Sequence, residues 1–577
     1  MEILLGICGS PGYASGTAVI KSDDNFELSP YKTREHDKEI AKFRAAQDSY
    51  DKELTSLIAS SEKELGAESA EIFEAYKVIL HDEAFFKKSI DRLTTESISL
   101  AYLIDDECRK VCAMFAGMDD PYLRERAEDI ENVCTKLCRK MMGCESDFAS
   151  EIASVGDAVV VAENLTPEET VKMDKSRLRA FVVEKGGATS HAAILAKALG
   201  IPAVMGVAEA TARIKKNNML LVCAHEATVT VNPDKAQLAA FEVLREKQNN
   251  RRRIYEESIT LSADTLDGFH VDVNLNVGDM DSIKNFSSAT CDGVGLFRTE
   301  FLYMSHRDYP DEETQFAAYK NIAQKAEGKE VIIRTLDIGG DKYLEYMNLP
   351  DEDNPFLGYR AIRICLDRAD VFQTQLRAIL RASAFGNVKI MFPMIVNLEE
   401  LRAAKECVEN AKLSLKNEGI PYREDIPVGI MVETPAAVLL SDILAAECDF
   451  FSVGSNDLIQ YTTASDRMND KVQHLYDNCN ISVLRAIQIT ARNAAKHSIP
   501  WGICGEVASD ARLVPLWVAM GVSELSVSSA AQVGHVKYII RNLNREEVTP
   551  VTDLILSGGL INNVKAQLDK ILQDLDK

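Results

Sequence analysis

The stretch Gly295-Leu296-Phe297-Arg298-Thr299-Glu300 decides the fold, because it closes a short apolar run with charged side chains. Seven similar β-rich runs lie between residue 261 and the end of the chain, and amphipathic segments separate them. Eight strands that alternate with helices over this length predict a (β/α)₈ barrel. The predicted strands are 270–275, 293–297, 330–335, 388–393, 427–432, 450–453, 500–503 and 524–527.

Cationic side chains follow several of these strands. In such barrels the active residues lie just past the C-terminal ends of the strands. Arginines that converge there predict a small polyanionic ligand, because the guanidinium fork matches carboxylate and phosphate bidentately. The arginines in these positions are Arg298, Arg334, Arg360, Arg363 and Arg467.

Two acids and a cysteine complete the pattern at the strand ends. Glu433 and Asp457 supply hard oxygen atoms that suit Mg²⁺. Cys504 precedes a glycine at a strand end and is a candidate proton donor or nucleophile. Taken singly, each has a structural alternative: an ion-paired arginine, a loop-capping acid or a small buried cysteine. Their joint occurrence at successive strand ends favours the functional interpretation.

A second motif lies outside the barrel, in Gly186-Gly187-Ala188-Thr189-Ser190-His191. The glycines allow a sharp turn, and Thr189 or Ser190 can cap the apolar helix that follows. His191 then lies in the first turn, where the helix dipole favours a bound anion and a neutral imidazole. This setting suits a histidine that accepts a phosphoryl group. The alternative is a glycine turn with a surface histidine.

The chain divides into regions of different composition. Residues 25–144 contain few glycines or prolines and predict a helical bundle, inserted into a small α/β domain of residues 1–24 and 145–230. Residues 231–260 predict a helical linker, and 261–577 form the barrel. The pairs Cys108/Cys112 and Cys134/Cys138 share helix faces, which allows a metal site but favours core cysteines.

The composition and net charge of the chain limit the classes of function that we expect. The net charge of −24 over 577 residues argues against a nucleic-acid or anionic-membrane surface and is compatible with a basic protein partner. The N-terminus lacks the features of a secretory signal, and no run of 18 apolar residues occurs. Thirteen scattered cysteines indicate a reducing compartment, so we predict a cytoplasmic protein.

Together these motifs resemble enzyme I of the bacterial phosphotransferase system, within the phosphoenolpyruvate-utilising enzymes, over essentially the full chain. The motifs that carry the resemblance are Ser10-Pro11-Gly12, the His191 motif, Gly295–Leu302, Asp337-Ile338-Gly339-Gly340-Asp341-Lys342, Leu380-Arg381-Ala382-Ser383, Met391-Phe392-Pro393-Met394, Met431-Val432-Glu433-Thr434-Pro435, Gly454-Ser455-Asn456-Asp457-Leu458 and Cys504-Gly505-Glu506. The resemblance implies a swivelling α/β phosphohistidine domain with an inserted helical bundle, followed by a TIM barrel.

The resemblance also implies a role for each site residue. His191 is the phosphorylated nucleophile, and Cys504 protonates the enolate carbon. Glu433 and Asp457 bind Mg²⁺. The residues implied to bind phosphoenolpyruvate are Arg298, Arg334, Lys342, Arg360, Asn456, Asp457 and Arg467.

The implied reaction moves the phosphoryl group of phosphoenolpyruvate to His191 and then to a histidine of the carrier protein HPr, with release of pyruvate. This is the first step of sugar uptake by that system. The helical insertion is implied to dock HPr, and the last domain to form a homodimer. Because one histidine must serve both barrel and carrier, we expect its domain to swing about the linker near 234–260.

Three features depart from the family pattern, and two other functions compete. Asp477-Asn478-Cys479-Asn480 replaces a more proline-rich stretch downstream of the site. Ala188 stands where the family often has arginine, and Tyr76 where it often has histidine in the carrier-docking surface.

Pyruvate phosphate dikinase and phosphoenolpyruvate synthase share the histidine and barrel, but the helical insertion is too short for an ATP-binding domain and has no glycine-rich phosphate loop. A regulatory protein that only senses phosphoenolpyruvate would not need His191, Cys504 and the metal carboxylates together.

Overall fold

The computed structural model describes the chain except residues 1, 22–27, 66, 117–120, 145–147, 175, 188–189, 341, 343, 470, 559 and 576–577. It divides into two compact units, Met1–Asn249 and Asn250–Lys577. The finer division into four regions stays a prediction.

The first unit is built on a mixed eight-stranded sheet in the order β1-β8-β7-β3-β4-β5-β6-β2. The neighbours from β3 to β6 are parallel and the other pairs antiparallel. Its strands are β1 (Glu2–Leu5), β2 (Ile7–Ser10), β3 (Tyr13–Ile20), β4 (Ala158–Ala162), β5 (Leu178–Val183), β6 (Ala203–Met205), β7 (Met219–Cys223) and β8 (Thr228–Val231).

Helices occupy the long connection between β3 and β4, as the low glycine and proline content predicts. The helices of this unit are α1 (His36–Leu65), α2 (Ala67–Leu80), α3 (Glu83–Glu96), α4 (Leu100–Ala116), α5 (Pro121–Met142), α6 (Phe148–Ser154), α7 (Pro167–Lys172), α8 (His191–Leu199), α9 (Ala210–Arg213) and α10 (Lys235–Ser258), which crosses the unit boundary. Tyr50 of α1 donates a hydrogen bond to Glu168 of α7, which ties the inserted helices to the sheet region.

The helical insertion has its own apolar core. Phe43, Tyr50 and Leu54 of α1 are fully buried at the helical spacing read from the sequence. Tyr76 is also fully buried, and its hydroxyl accepts a hydrogen bond from Asn132 at 3.0 Å. The expectation that position 76 contributes to an exposed docking surface is therefore wrong, because an aromatic ring there packs inward.

The second unit contains a closed barrel of eight strands, all parallel to their neighbours. The predicted (β/α)₈ barrel is confirmed, and every predicted strand lies within two residues of an observed one at each end. The strands are β9 (Asp272–Val277), β10 (Gly293–Phe297), β11 (Glu330–Arg334), β12 (Asn387–Phe392), β13 (Val428–Val432), β14 (Phe451–Gly454), β15 (Trp501–Cys504) and β16 (Glu524–Val527).

Helices surround the barrel, and their apolar faces form one large core with the strands. The helices are α11 (Met280–Asn285), α12 (Glu300–Met304), α13 (Glu312–Lys325), α14 (Ile362–Asp367), α15 (Ala369–Ser383), α16 (Leu398–Glu418), α17 (Pro435–Leu439), α18 (Ser441–Leu444), α19 (Ser455–Thr463), α20 (Ile481–Lys496), α21 (Glu506–Ser509), α22 (Val514–Ala519), α23 (Ala530–Arg541), α24 (Arg545–Ser557) and α25 (Ile561–Leu575). Within the described part of the chain, no helix is both long and apolar enough to cross a membrane.

Candidate active site

A cavity of about 540 Å³ opens at the C-terminal ends of the barrel strands. Parallel strands direct the residues that follow them to one mouth, which explains why positions far apart in sequence meet here. The barrel residues that the resemblance implies to act all line this cavity: Arg298, Arg334, Lys342, Arg360, Glu433, Asn456, Asp457, Arg467 and Cys504. Arg363, also expected at the mouth, does not line it, and its guanidinium donates to the carbonyls of Leu357 and Gly358.

Arg334 lies buried at the end of β11 between two acids. Its guanidinium donates to Glu300, at the start of α12, and lies 2.9 Å from Asp337 Oδ2. Lys342 Nζ is 3.5 Å from Glu300 Oε1. The two acids hold the buried Arg334 guanidinium in place, because a buried charge requires a partner.

Asp337 also joins Arg334 to Arg360. Arg360 Nη2 donates to Asp337 Oδ1 at 2.8 Å and to Asp457 Oδ2 at 3.4 Å. Although burial raises the pKa of Asp337, Arg334 and Arg360 lower it overall to well below its usual range. Asp337 is therefore ionised, and it fixes the spacing of two cations.

Sequence reasoning assigned no role to Glu300 and Asp337. Glu300 follows β10 and Asp337 follows β11, and both lie in motifs that carry the family resemblance. The signal that could have identified them is the arginines themselves, since buried guanidinium groups need nearby carboxylates.

Glu433 and Asp457 lie on the opposite side of the same network. Glu433 Oε1 accepts a hydrogen bond of 2.6 Å from the backbone N–H of Met394, which has a left-handed backbone with φ of 59°. Burial, with the nearby charges of Asp457 and Asp337, raises the pKa of Glu433 to about 8. A buried glutamate whose ionisation is disfavoured by burial and by a nearby acid is a setting that a cation would stabilise.

The donor set is compatible with a magnesium ion but incomplete alone. Buried Asp457 Oδ1 accepts no hydrogen bond, and its nearest described cation is Arg467, at 3.8 Å. No group of three or more Asp, Glu, His or Cys side chains is arranged to hold a metal ion among the described residues. Mg²⁺ typically takes one or two carboxylates and completes its shell with substrate oxygens and water. Glu433 and Asp457 fit that pattern.

Cys504 is buried at the end of β15, on the floor of the cavity. Its sulfur accepts a hydrogen bond from Ser452 Oγ at 3.2 Å, and its thiol contacts the Val453 carbonyl oxygen at 3.7 Å. Burial raises the pKa of Cys504 to about 11, although Ser452 and Arg334 oppose the shift. The thiol keeps its proton at neutral pH, which favours a proton donor over a thiolate nucleophile.

Buried polar atoms without a hydrogen-bond partner gather around the cavity. Of the described residues in this region, they include Glu300 Oε2, Arg334 Nε, Thr335 Oγ1, Arg360 Nε and Asp457 Oδ1. Buried polar groups are normally paired, so such a cluster indicates a place where a polar ligand completes the bonding.

His191 belongs to the other unit, where it begins α8 as predicted. Gly186 has φ of 92°, which only glycine adopts easily. Ser190 occupies the cap position, but its hydroxyl donates to the Gly187 carbonyl at 2.9 Å and does not cap α8. The expected side-chain cap from Ser190 is therefore wrong. Ala188 and Thr189 lie outside the described residues, and His191 is described through its backbone alone.

Three domain models of one enzyme group match successive parts of the chain. Residues 252–545 match the PEP-binding domain of PEP-utilising enzymes, residues 5–126 their N-terminal domain and residues 155–227 their mobile domain. The curated Phosphoenolpyruvate-protein phosphotransferase of Priestia megaterium is 38% identical over 96% of this chain and 96% of its own length.

The chain belongs to the phosphoenolpyruvate-protein phosphotransferase family. Two further members support the assignment: the proteins of Geobacillus stearothermophilus and Staphylococcus aureus strain MSSA476 are also 38% identical, over 97% and 96% of this chain and 96% of each relative. The match extends over the barrel and the unit that carries His191, so it covers both predicted chemical centres.

Proposed function

We propose that this protein transfers the phosphoryl group of phosphoenolpyruvate to its own His191 and then to a histidine of the carrier protein HPr, with release of pyruvate. The observation that carries the proposal is the barrel cavity, which is lined by five cationic side chains, three buried carboxylates and one protonated thiol. Phosphoenolpyruvate carries a phosphate, a carboxylate and a carbon that must accept a proton, and each has a matching group here.

The buried and the exposed arginines have different roles in substrate binding. Arg334 and Arg360 are fixed by acids, so they offer a rigid cationic surface to the phosphate and the carboxylate. Arg298 is exposed at the rim and Arg467 is partly so, which lets them close on the substrate from the solvent side. Lys342 adds charge beside Glu300, and Asn456 an amide next to Asp457.

Glu433 and Asp457 would hold Mg²⁺. When bound, the ion would neutralise charge on the substrate's oxygens and favour the ionised form of Glu433, whose pKa burial and the nearby Asp457 raise. Arg360 already contacts Asp457, so the cationic and metal-holding sides of the cavity are linked.

The transfer itself is positioning and charge stabilisation. The neutral ring of His191 attacks phosphorus, a P–N bond forms, and the P–O bond to the enol oxygen breaks. The electron pair of that bond leaves with enolpyruvate. The Cys504 thiol then gives its proton to the methylene carbon, which yields pyruvate, and the resulting thiolate regains a proton from solvent.

The later steps rest on family resemblance. The helical insertion is proposed to dock HPr, which receives the phosphoryl group as the first step of sugar uptake. Homodimerisation through the barrel, a swing of the His191 unit and a cytoplasmic location also stay predictions.

Incubation with ³²P-labelled phosphoenolpyruvate and Mg²⁺ tests the proposal. We expect acid-labile label on His191, its transfer to added HPr, and no label in His191→Ala. Label that persists in His191→Ala, or its absence from the wild-type protein, would contradict the assignment.

Phosphoenolpyruvate–pyruvate isotope exchange separates the remaining alternatives. A protein that only senses phosphoenolpyruvate shows no exchange, whereas a transferase exchanges without any nucleotide. Formation of phosphoenolpyruvate from pyruvate that depends on ATP would favour the dikinase or synthase instead.

A further inference from the structure

The backbone of Ala361 adopts a conformation that normally requires glycine. Its φ is 55° and its ψ is −126°, and the Arg363 N–H donates to the Arg360 carbonyl at 3.2 Å. These values correspond to the first central position of a type II′ turn, which is dominated by glycine because a Cβ is strained there. Of the described non-glycine residues with positive φ, Ala361 directly follows a cation of the candidate site.

The surrounding structure holds this turn from both sides. Ala361 is fully buried, and its N–H donates to the Ile338 carbonyl at 3.0 Å. On the other side, the Tyr359 N–H lies 3.0 Å from both carboxylate oxygens of Glu352. Gly339 packs so closely that a Cβ there would lie 2.4 Å from the Cβ of Arg360. The main chain of Arg360 therefore has little freedom to move.

Local sequence preference points to a different conformation. Arg360-Ala361-Ile362-Arg363-Ile364 contains good helix formers, and α14 begins directly after Ala361. An unstrained Ala361 would let α14 extend backward through Arg360. The strained turn stops the helix instead, and the Arg360 side chain reaches Asp337, Asp457 and the Tyr461 hydroxyl, the last at 3.1 Å.

We propose that Ala361 is a positioning residue for the transfer reaction, whose strained backbone holds the Arg360 guanidinium in place for the phosphoryl group. This rests on the proposed function, because it assigns a purpose to the placement of Arg360. Strain that the surrounding structure over-determines is typical of functional sites. At these φ and ψ values alanine lies outside the wells allowed to L-residues, so the turn persists only because the surrounding contacts over-determine it, whereas glycine at position 361 would also populate neighbouring φ and ψ values at little cost.

Ala361→Gly tests the inference. Glycine relieves the strain and frees Arg360, which must then be ordered when substrate binds. We expect the KM for phosphoenolpyruvate in the exchange reaction to rise about 2- to 10-fold, the range for immobilising one flexible side chain. The thermal midpoint of the full-length protein is expected to stay unchanged or to rise by about 2 °C. A merely structural alanine would leave KM unchanged and move only the midpoint.

Two further variants sharpen the test. Ser498→Gly is the matched control, because Ser498 also has positive φ, 57°, but precedes β15 at the opposite end of the barrel from the cavity. It also replaces a residue of positive φ by glycine, and it should leave KM unchanged. If Ala361 acts through Arg360, Ala361→Gly should add less than 2-fold to the KM of Arg360→Lys, which already lacks the guanidinium fork.

The outcomes separate the two proposals. Wild-type protein that shows no exchange overturns the proposed function and this inference with it. Exchange in the wild type with an unchanged KM in Ala361→Gly overturns the inference alone. A raised KM that adds fully to that of Arg360→Lys also overturns it, because Ala361 would then act on something other than Arg360.

Discussion

Each end of the barrel buries a glutamate whose pKa is raised, and the surroundings of these two glutamates differ. Burial raises the pKa of Glu433, at the C-terminal end, and of Glu524, at the N-terminal end, to about 8 in each case. A glycine makes room for each: Gly454 on the adjacent strand β14 for Glu433, and Gly295 on β10, two strands away, for Glu524. A Cβ at Gly454 would lie 2.7 Å from Glu433 Oε2, and a Cβ at Gly295 would lie 1.7 Å from Glu524 Oε1.

The surroundings of the two acids differ. Glu433 faces Arg334, Arg360 and Asp457 in an open cavity. Glu524 lies among Glu330, Asp272, Lys389 and Asn274, and Lys389 is itself paired with Glu330. Both carboxyls therefore favour the protonated form in the free protein, and of the two only Glu433 lines the cavity, where a bound cation can offset the cost of ionising it. The C-terminal end of the barrel therefore carries the candidate catalytic residues, whereas the buried acid at the N-terminal end affects stability.

Cys504→Ala should produce the largest effect, at the cavity end. Losing the proton donor is expected to slow phosphoenolpyruvate–pyruvate exchange about 10²- to 10⁴-fold, because general acid catalysis contributes that much. The thermal midpoint should change little, since the substitution removes little volume. Cys448→Ala is the matched control, a buried thiol outside the cavity that should keep normal exchange. Normal exchange in Cys504→Ala, or a collapse of its midpoint, would assign the cysteine to packing alone.

Glu524→Gln tests the proton at the other end. The pKa of Glu524 in the folded protein, about 8, lies above the ordinary glutamate value of 4.5. Between these two pH values the folded state therefore binds more protons than the unfolded state. Wild-type stability should therefore fall as the pH rises from about 4.5 to 8, by about 3–5 kcal/mol in total. Glutamine has no proton to lose, so the variant should match the wild type near pH 4.5 and exceed it at pH 8.

Urea unfolding of the wild type and of Glu524→Gln between about pH 4.5 and 8 measures the difference between their free energies of unfolding. If the unfolding free energies of the wild type and Glu524→Gln change with pH in parallel, the Glu524 carboxyl is ionised at neutral pH. That result would contradict the assignment of a protonated carboxyl to the N-terminal end of the barrel. Exchange activity should be retained in the variant, because Glu524 does not line the cavity.

Gly295→Ala should destabilise the barrel by about 1–3 kcal/mol, the usual cost of overpacking a core. The new methyl group would meet Glu524 Oε1 and also Ser526 Oγ, at 2.6 Å. Gly278→Ala is the control at the other end of the barrel, because its nearest neighbour, Arg298 Cδ, lies at an ordinary 3.6 Å. Equal unfolding midpoints for the two variants would show that Glu524 moves aside easily.

His270 should contribute the smallest effect. Burial lowers its pKa, but hydrogen bonds with Asp264 and Asp272 raise it overall. Its stabilisation is therefore complete below the unfolded pKa, near 6.5, and disappears as the pH rises through the folded value. Because the ring is half exposed, we expect only about 0.5 kcal/mol. His270→Gln should lack this step in thermal denaturation between pH 6 and 9, and a step that persists would assign it to another group.

The sequence predicted the barrel well because its signals are local. Apolar runs such as Gly293–Phe297 and the helices between them can be recognised from periodicity, and parallel topology then brings the strand ends together. The same logic placed Arg298, Glu433 and Cys504 at one mouth. Glu300, Asp337 and the inward-facing Tyr76 were not predicted in their roles, because each is set by a partner distant in sequence.

The sequence alone determined the strands, the helices, the family motifs and the residue types available for chemistry, since these depend on spacing and on the identity of each side chain. Only the tertiary structure decided which acid neutralises which arginine, which glutamate keeps its proton, and that Ala361 departs from its helical preference beside Arg360. Such properties depend on burial and on distances of a few ångströms between elements. Packing sets those distances, and no local pattern in the chain records them.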